Sequence, residues 1–194
     1  TREARLKHSK FFVFGGEESY GYLGTDFTRD KDGNGAVVMF AEVAAHAASR
    51  GVTLLDLLDE IYASHGLFLE SGQSKTFEGA EGAAKIQRLA DSYVSDPPQS
   101  LDGSAVTLVR DYSKGTHRDE EGDEIPKEKM LWINLADGRS FAVRPSGTEP
   151  KIKVYFFGSR RPAPGEKLQN LAAVKVEVDN GLEKLWDDIR ADMD

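Results

Sequence analysis

The chain has 194 residues, 39% of them hydrophobic and 30% charged, with a net charge of −8. That is enough apolar material for a packed core, in one large domain or two small ones, and too much for a disordered chain. The acidic balance argues against a nucleic-acid or anionic-membrane surface, so an anionic ligand needs a local basic cluster. Cysteine is absent, which excludes disulfides, thiolate zinc sites and cysteine nucleophiles and suits a cytoplasmic protein. No apolar run approaches the roughly 20 residues of a membrane span.

In chain order, the first ten residues include several basic ones, with neither an initiator Met nor an adequate apolar segment behind them. That pattern reads as a cut rather than a natural start, and not as a signal peptide. Phe-Phe-Val-Phe at 11–14 reads as a buried strand feeding a long loop through Gly15-Gly16. Apolar residues at helical spacing (Val37, Phe40, Ala41, Ala44, Ala47) then predict a helix from Ala36 to a cap at Gly51. Thr53 opens a second helix, with Asp56 at its third position and Leu54, Leu57, Leu58 and Ile61 on one face.

Residues 66–77 read as extended chain, where one unit gives way to the next. A third helix is expected over about 80–94, turning Ala83, Ile86, Leu89, Ala90 and Tyr93 inward until Asp-Pro-Pro at 96–98 stops it. Strands are expected at 104–109, 130–135, 139–143 and 151–157, with a solvated excursion at 113–129 and a hairpin turn at Ala136-Asp137-Gly138. The apolar positions 168, 171, 174, 178, 182, 185 and 189 mark a long amphipathic helix, weakened at Asn180-Gly181. Strands closed by a helix imply an α+β unit at this end.

Three stretches carry candidate chemistry. Arg144-Pro-Ser-Gly-Thr148 gathers a planar fork of donors, two hydroxyls and a glycine that lets backbone N–H groups approach an anion. The plain alternative is a tight turn with a surface arginine. Gly-Gly-Glu-Glu-Ser-Tyr-Gly-Tyr at 15–22 places acidic and hydroxyl side chains in a glycine-bounded loop suited to sugar hydroxyls, or simply to water.

Asp30, Asp32, Asn34 and Gly35 imitate a calcium loop, although the twelfth position is Ala41 and Glu42 comes one residue late. The alternatives there are a solvated turn or a positioned Lys31. His8, His46, His65 and His117 have no ligand spacing and receive no role.

Read together, Gly-Glu-Glu-Ser-Tyr-Gly at 16–21, Arg-Asp-Lys-Asp-Gly at 29–33 and Arg-Pro-Ser-Gly-Thr-Glu-Pro-Lys at 144–151 resemble the α-D-phosphohexomutases, the phosphoglucomutase and phosphomannomutase superfamily. Their order and wording are closest to the bacterial phosphoglucomutase branch related to phosphopentomutases. The resemblance implies an α/β to α+β chain. Residues 1–68 would be the latter part of an α/β third domain, and 69–194 a small TATA-binding-protein-like fourth domain with an antiparallel sheet and helices.

It further implies that Glu17 and Ser19 bind sugar hydroxyls and that Arg144, Ser146, Gly147 and Thr148 bind phosphate. Lys153 is an additional phosphate contact, and Lys31 stands where the family has a lysine for acid–base chemistry or positioning. The family uses Mg²⁺ and a hexose 1,6-bisphosphate intermediate. This sequence shows neither a Ser-His-Asn-Pro phosphoserine loop nor an Asp-x-Asp-x-Asp metal loop, so the expectation is no metal ligands and no turnover from the chain alone. Some relatives place a histidine after the Gly-Glu-x-Ser motif, where this chain has Tyr20-Gly21.

The expected partners are a phosphosugar and the missing N-terminal domains, with self-association through apolar surface near 11–14, and neither nucleic acid nor membrane. The competing readings are a calcium-binding module on 30–42 and an interaction module on the C-terminal helix. The helix's apolar stripe fits better against the strands of its own domain.

Overall fold

The computed structural model describes residues 12–17, 21–24, 30–77, 79–119, 122–146 and 151–193. The chain divides into two units, Thr1–Ile61 and Tyr62–Asp194.

In the first unit, strands β1 (Gly15–Glu17) and β2 (Gly21–Leu23) form a short antiparallel hairpin. The strand predicted at 11–14 does not form over Phe12–Phe14, and Phe11 lies outside the described residues. Phe12, Val13 and Phe14 are 41%, 78% and 52% exposed, because no described strand pairs with them.

Helix α1 (Gly33–Ser49) begins three residues before the predicted start at Ala36. The cause is Asp32, whose carboxylate accepts from the N–H groups of Asn34 and Gly35 at 3.0 and 2.9 Å, satisfying donors that the first turn leaves orphaned. Gly51, at φ +69°, ends the helix just past its cap residue Arg50, and Val52 N–H reaches back to the Ala47 carbonyl. The apolar face is only partly used: Ala36 and Ala47 are buried, whereas Val37 and Phe40 are exposed.

Helix α2 (Leu54–His65) starts with a reciprocal capping box. Thr53 Oγ1 accepts from Asp56 N–H at 3.1 Å while Asp56 accepts from Thr53 N–H at 2.9 Å.

The second unit is built on strands β3 (Leu67–Thr76), β4 (Ser100–Leu101), β5 (Ser104–Asp111), β8 (Leu131–Leu135), β9 (Ser140–Pro145) and β10 (Lys151–Arg160). They form an antiparallel sheet in the order β3-β10-β9-β8-β5-β4. Helices α3 (Gly79–Ser95) and α4 (Leu171–Asp192) cover one face. Within the charged excursion, β6 (His117–Arg118) and β7 (Glu124–Ile125) pair as a small separate hairpin.

Period-two alternation decides what is buried. Leu131, Ile133 and Leu135 of β8, Phe141 and Val143 of β9, and Ile152, Val154 and Phe156 of β10 all enter one core. Ile86 and Tyr93 from α3 and Leu182, Leu185 and Ile189 from α4 meet them there. The helical stripe read at 178, 182, 185 and 189 is thus spent inside its own unit. Gly158 lets α4 come close, since a Cβ there would stand 2.9 Å from Val178 and 3.0 Å from Leu182.

Asn180-Gly181 does not break α4. Arg139 Nη1 donates to the Gly181 carbonyl at 2.5 Å and to Asp102 at 2.8 Å, while its Nε donates to Asp137 at 2.8 Å. Arg139 therefore joins the β8–β9 turn, the β4–β5 turn and the weak point of the helix. The β4–β5 turn is Asp102-Gly103, with φ of 43° and 71°, an Asp-Gly hairpin signal that the strand reading passed over.

Burial pushes the Asp137 carboxyl up, but its bonds and charge contact with Arg139, helped by Ser104, outweigh this and hold it below the usual range. A carboxyl depressed by folding adds stability that is present above its ordinary value of 3.8 and lost as pH falls through the lower folded value. We expect Arg139→Ala to cost about 2 kcal/mol in urea unfolding near neutral pH, through lost charge-assisted hydrogen bonds. Its deficit against the parent should stay constant above about pH 5 and narrow as Asp137 protonates at lower pH. A deficit independent of pH would leave packing as the whole role of Arg139.

Candidate functional site

In the second unit the candidate anion site is the β9–β10 hairpin. Ser146 N–H donates to the Lys151 carbonyl at 2.9 Å and closes the ladder where the turn begins. Because Phe141 and Val143 point into the core, Arg144 points to the opposite face; because Ile152 and Val154 point inward, Lys153 points to that opposite face as well. The register pairs Arg144 directly with Lys153. Two like charges opposite one another on a sheet destabilise it, and an anion relieves that cost. Arg144 also contacts Glu128, Nη2 to Oε1 at 3.3 Å, with both side chains 50% exposed. Gly147 and Thr148 lie outside the described residues.

In the first unit the structure brings β2 and the Asp30-Lys31-Asp32 segment together through the backbone. Asp32 N–H donates to the Tyr22 carbonyl at 3.0 Å, and Tyr22 and Asp32 form an antiparallel bridge. Glu17 sits opposite Gly21 in the hairpin, and Lys31 immediately precedes the bridge. Ser19 lies outside the described residues. Gly21 makes the approach possible: at φ +146°, a Cβ would fall 2.7 Å from the Asp32 carbonyl carbon. Gly21 was part of the motif, but its role depends on a contact between segments eleven residues apart, which no local pattern states.

Residues 30–42 do not wrap as a calcium loop. Residues 33–42 lie on α1, and Asp32 is engaged as its N-cap, so Asn34, Gly35 and Glu42 belong to a helix rather than to a wrapped loop. Among the described residues no group of three or more acidic or imidazole side chains is arranged to hold a metal ion. His46 and His65 are exposed, and His117 packs against Tyr112 with ring centroids 4.9 Å apart and planes tilted by 57°. Nothing in the sequence singles out Glu128, because it lies in a charged stretch with no periodicity.

An antiparallel sheet with helices on one face, following a motif-bearing helical unit, is an α/β to α+β arrangement. The family described as phosphoglucomutase/phosphomannomutase, alpha/beta/alpha domain III, matches residues 3–65, and its C-terminal domain matches 80–172. The chain belongs to this superfamily and represents its C-terminal portion.

It is 39% identical over 160 residues to a phosphoglucomutase of Staphylococcus epidermidis, covering 78% of this chain and 29% of that protein. A Staphylococcus aureus phosphoglucomutase is 38% identical over 156 residues, covering 78% and 28%. The crystal structure of the Paramecium exocytosis-sensitive phosphoprotein pp63/parafusin, a phosphoglucomutase in its open form, shares the fold at a TM-score of 0.52 and 19% identity. That match covers 88% of this chain and 29% of the Paramecium chain. This chain therefore spans under a third of the length of these relatives.

Gly21→Ala tests the coupling of the two motif segments. The variant should lower the melting temperature by several degrees, about 1–3 kcal/mol of strain and overlap, and loosen amide protection at Asp32. Unchanged hydrogen exchange at Asp32 would mean that the hairpin does not depend on this approach.

Proposed function

We propose that this chain is the sugar- and phosphate-binding C-terminal part of a phosphohexomutase, which interconverts hexose 1-phosphate and 6-phosphate through a phosphoserine and a bisphosphate intermediate. The observation that carries the reading is the cross-strand pairing of Arg144 with Lys153 beside the Arg-Pro-Ser-Gly-Thr turn, in a chain of this superfamily. Arginine's fork matches phosphate oxygens, and a second cation opposite it adds attraction without reacting.

On this reading Arg144, Ser146, Gly147, Thr148 and Lys153 anchor the phosphate. Glu17 and Ser19 read sugar hydroxyls, and Lys31 serves acid–base chemistry or positioning. Residues 1–68 represent the third domain and 69–194 the fourth. The donors of the anchor position and stabilise charge, which is most of what phosphoryl transfer asks of a protein.

A mutase must present either end of its phosphosugar to the phosphoserine, so a phosphate grip separate from a hydroxyl reader permits the substrate to turn over. The phosphoserine and Mg²⁺ loops belong to the N-terminal domains of the full enzyme, a cytoplasmic one, and the chain alone is inactive. Self-association through Phe12–Phe14 belongs to the same proposal. It predicts a concentration-dependent mass by light scattering, and a strict monomer at high concentration would remove it.

The direct test is an NMR titration with glucose 1-phosphate beside Arg144→Ala. Shifts should cluster at residues 144–153 in the parent and disappear in the variant, and the purified chain should give no mutase turnover. Binding that survives Arg144→Ala would refute the anchor. Turnover free of host mutase would refute the assignment of the chemistry to other domains.

A further inference from the structure

Glu128 stands at the end of the charged excursion, yet its backbone continues the sheet's hydrogen-bond ladder. Its N–H donates to the Tyr112 carbonyl at 3.2 Å, and Tyr112 N–H donates to the Met130 carbonyl at 3.0 Å. These bonds extend the β5–β8 pairing beyond Asp111 and Leu131. His117 tethers the excursion from its other side, with Nε2 2.7 Å from the Asp111 carbonyl and its ring against Tyr112. The fold thus places Glu128, and its carboxylate meets the Arg144 guanidinium at 3.3 Å.

We infer that Glu128 is an internal competitor for the anion at Arg144, a displaceable carboxylate that weakens phosphate binding and speeds release. The inference rests on the reading of Arg144 as a phosphate anchor. A carboxylate and a phosphate seek the same guanidinium donors, so contact with one excludes or strains contact with the other. A phosphate dianion is also repelled by a carboxylate a few ångströms away.

The pair is half exposed, and exposed ion pairs are weak, so phosphate can displace it readily. When phosphate leaves, Glu128 re-pairs with Arg144, and the opposed charges of Arg144 and Lys153 remain compensated. Such a grip suits a ligand that must be released and taken up again by its other end.

The experiment measures inorganic phosphate and glucose 1-phosphate binding by NMR for the parent, Glu128→Gln, Glu183→Gln and Arg144→Gln, with exchange broadening giving the release rate. Glu183 is an exposed residue of α4, and its variant changes net charge by the same amount. Glu128→Gln should bind about threefold tighter and release more slowly, as expected for loss of a weak competing pair, while Glu183→Gln should match the parent. If Arg144→Gln abolishes binding but Glu128→Gln behaves like Glu183→Gln, the anchor stands and the competitor is refuted. If binding is indifferent to Arg144→Gln, the anchor reading itself fails and takes this inference with it. Amide spectra of each variant confirm that the sheet is intact.

Discussion

The second unit depends on β10 being paired on both edges while its side chains alternate between two environments. Ten register positions join it to β3 and six to β9, so over residues 152–157 its ladder is satisfied on both sides. Ile152, Val154 and Phe156 are fully buried beneath the helices, and that burial fixes the register. A one-residue slip would send those three side chains to solvent and Lys151, Lys153 and Tyr155 into the core. The same constraint puts Lys153 on the outer face opposite Arg144. The ligand-facing geometry is therefore a by-product of core packing: hydrophobic burial, the larger energy, sets where the charges go.

A comparable economy governs the first unit. Asp32 caps α1 with its side chain and bridges β2 with its backbone. One residue thus sets the helix start and its distance from β2. Gly21 permits the approach by having no side chain. The sequence Asp-Lys-Asp-Gly-Asn-Gly suggests a metal because it is rich in carboxylates, but the two backbone donors bound by Asp32 explain one of them without an ion.

Electrostatics at the hairpin follow from its surroundings. The protein is acidic overall, so the paired cations Arg144 and Lys153 stand out locally. Elsewhere the stronger charge contacts hold structure together, Arg139 above all, which is largely shielded from water and linked to two aspartates and a helix carbonyl. Arg144 differs in being half exposed, with a 3.3 Å contact to an equally exposed Glu128, an arrangement that suits exchange of partners.

Sequence alone determined the elements whose signals are local. The capping box at Thr53 and Asp56, the stop at Asp-Pro-Pro, the Ala-Asp-Gly turn, the long α4 and the strands β5, β8, β9 and β10 were legible because each depends on neighbours within a few residues. The family was legible too, in three motifs in order. Tertiary structure alone decided that no described strand pairs with Phe12–Phe14 and that Arg144 faces both Lys153 and Glu128. Those outcomes depend on which distant backbone or side chain arrives alongside. That is set by the shared core and the strand register, which no window of sequence contains.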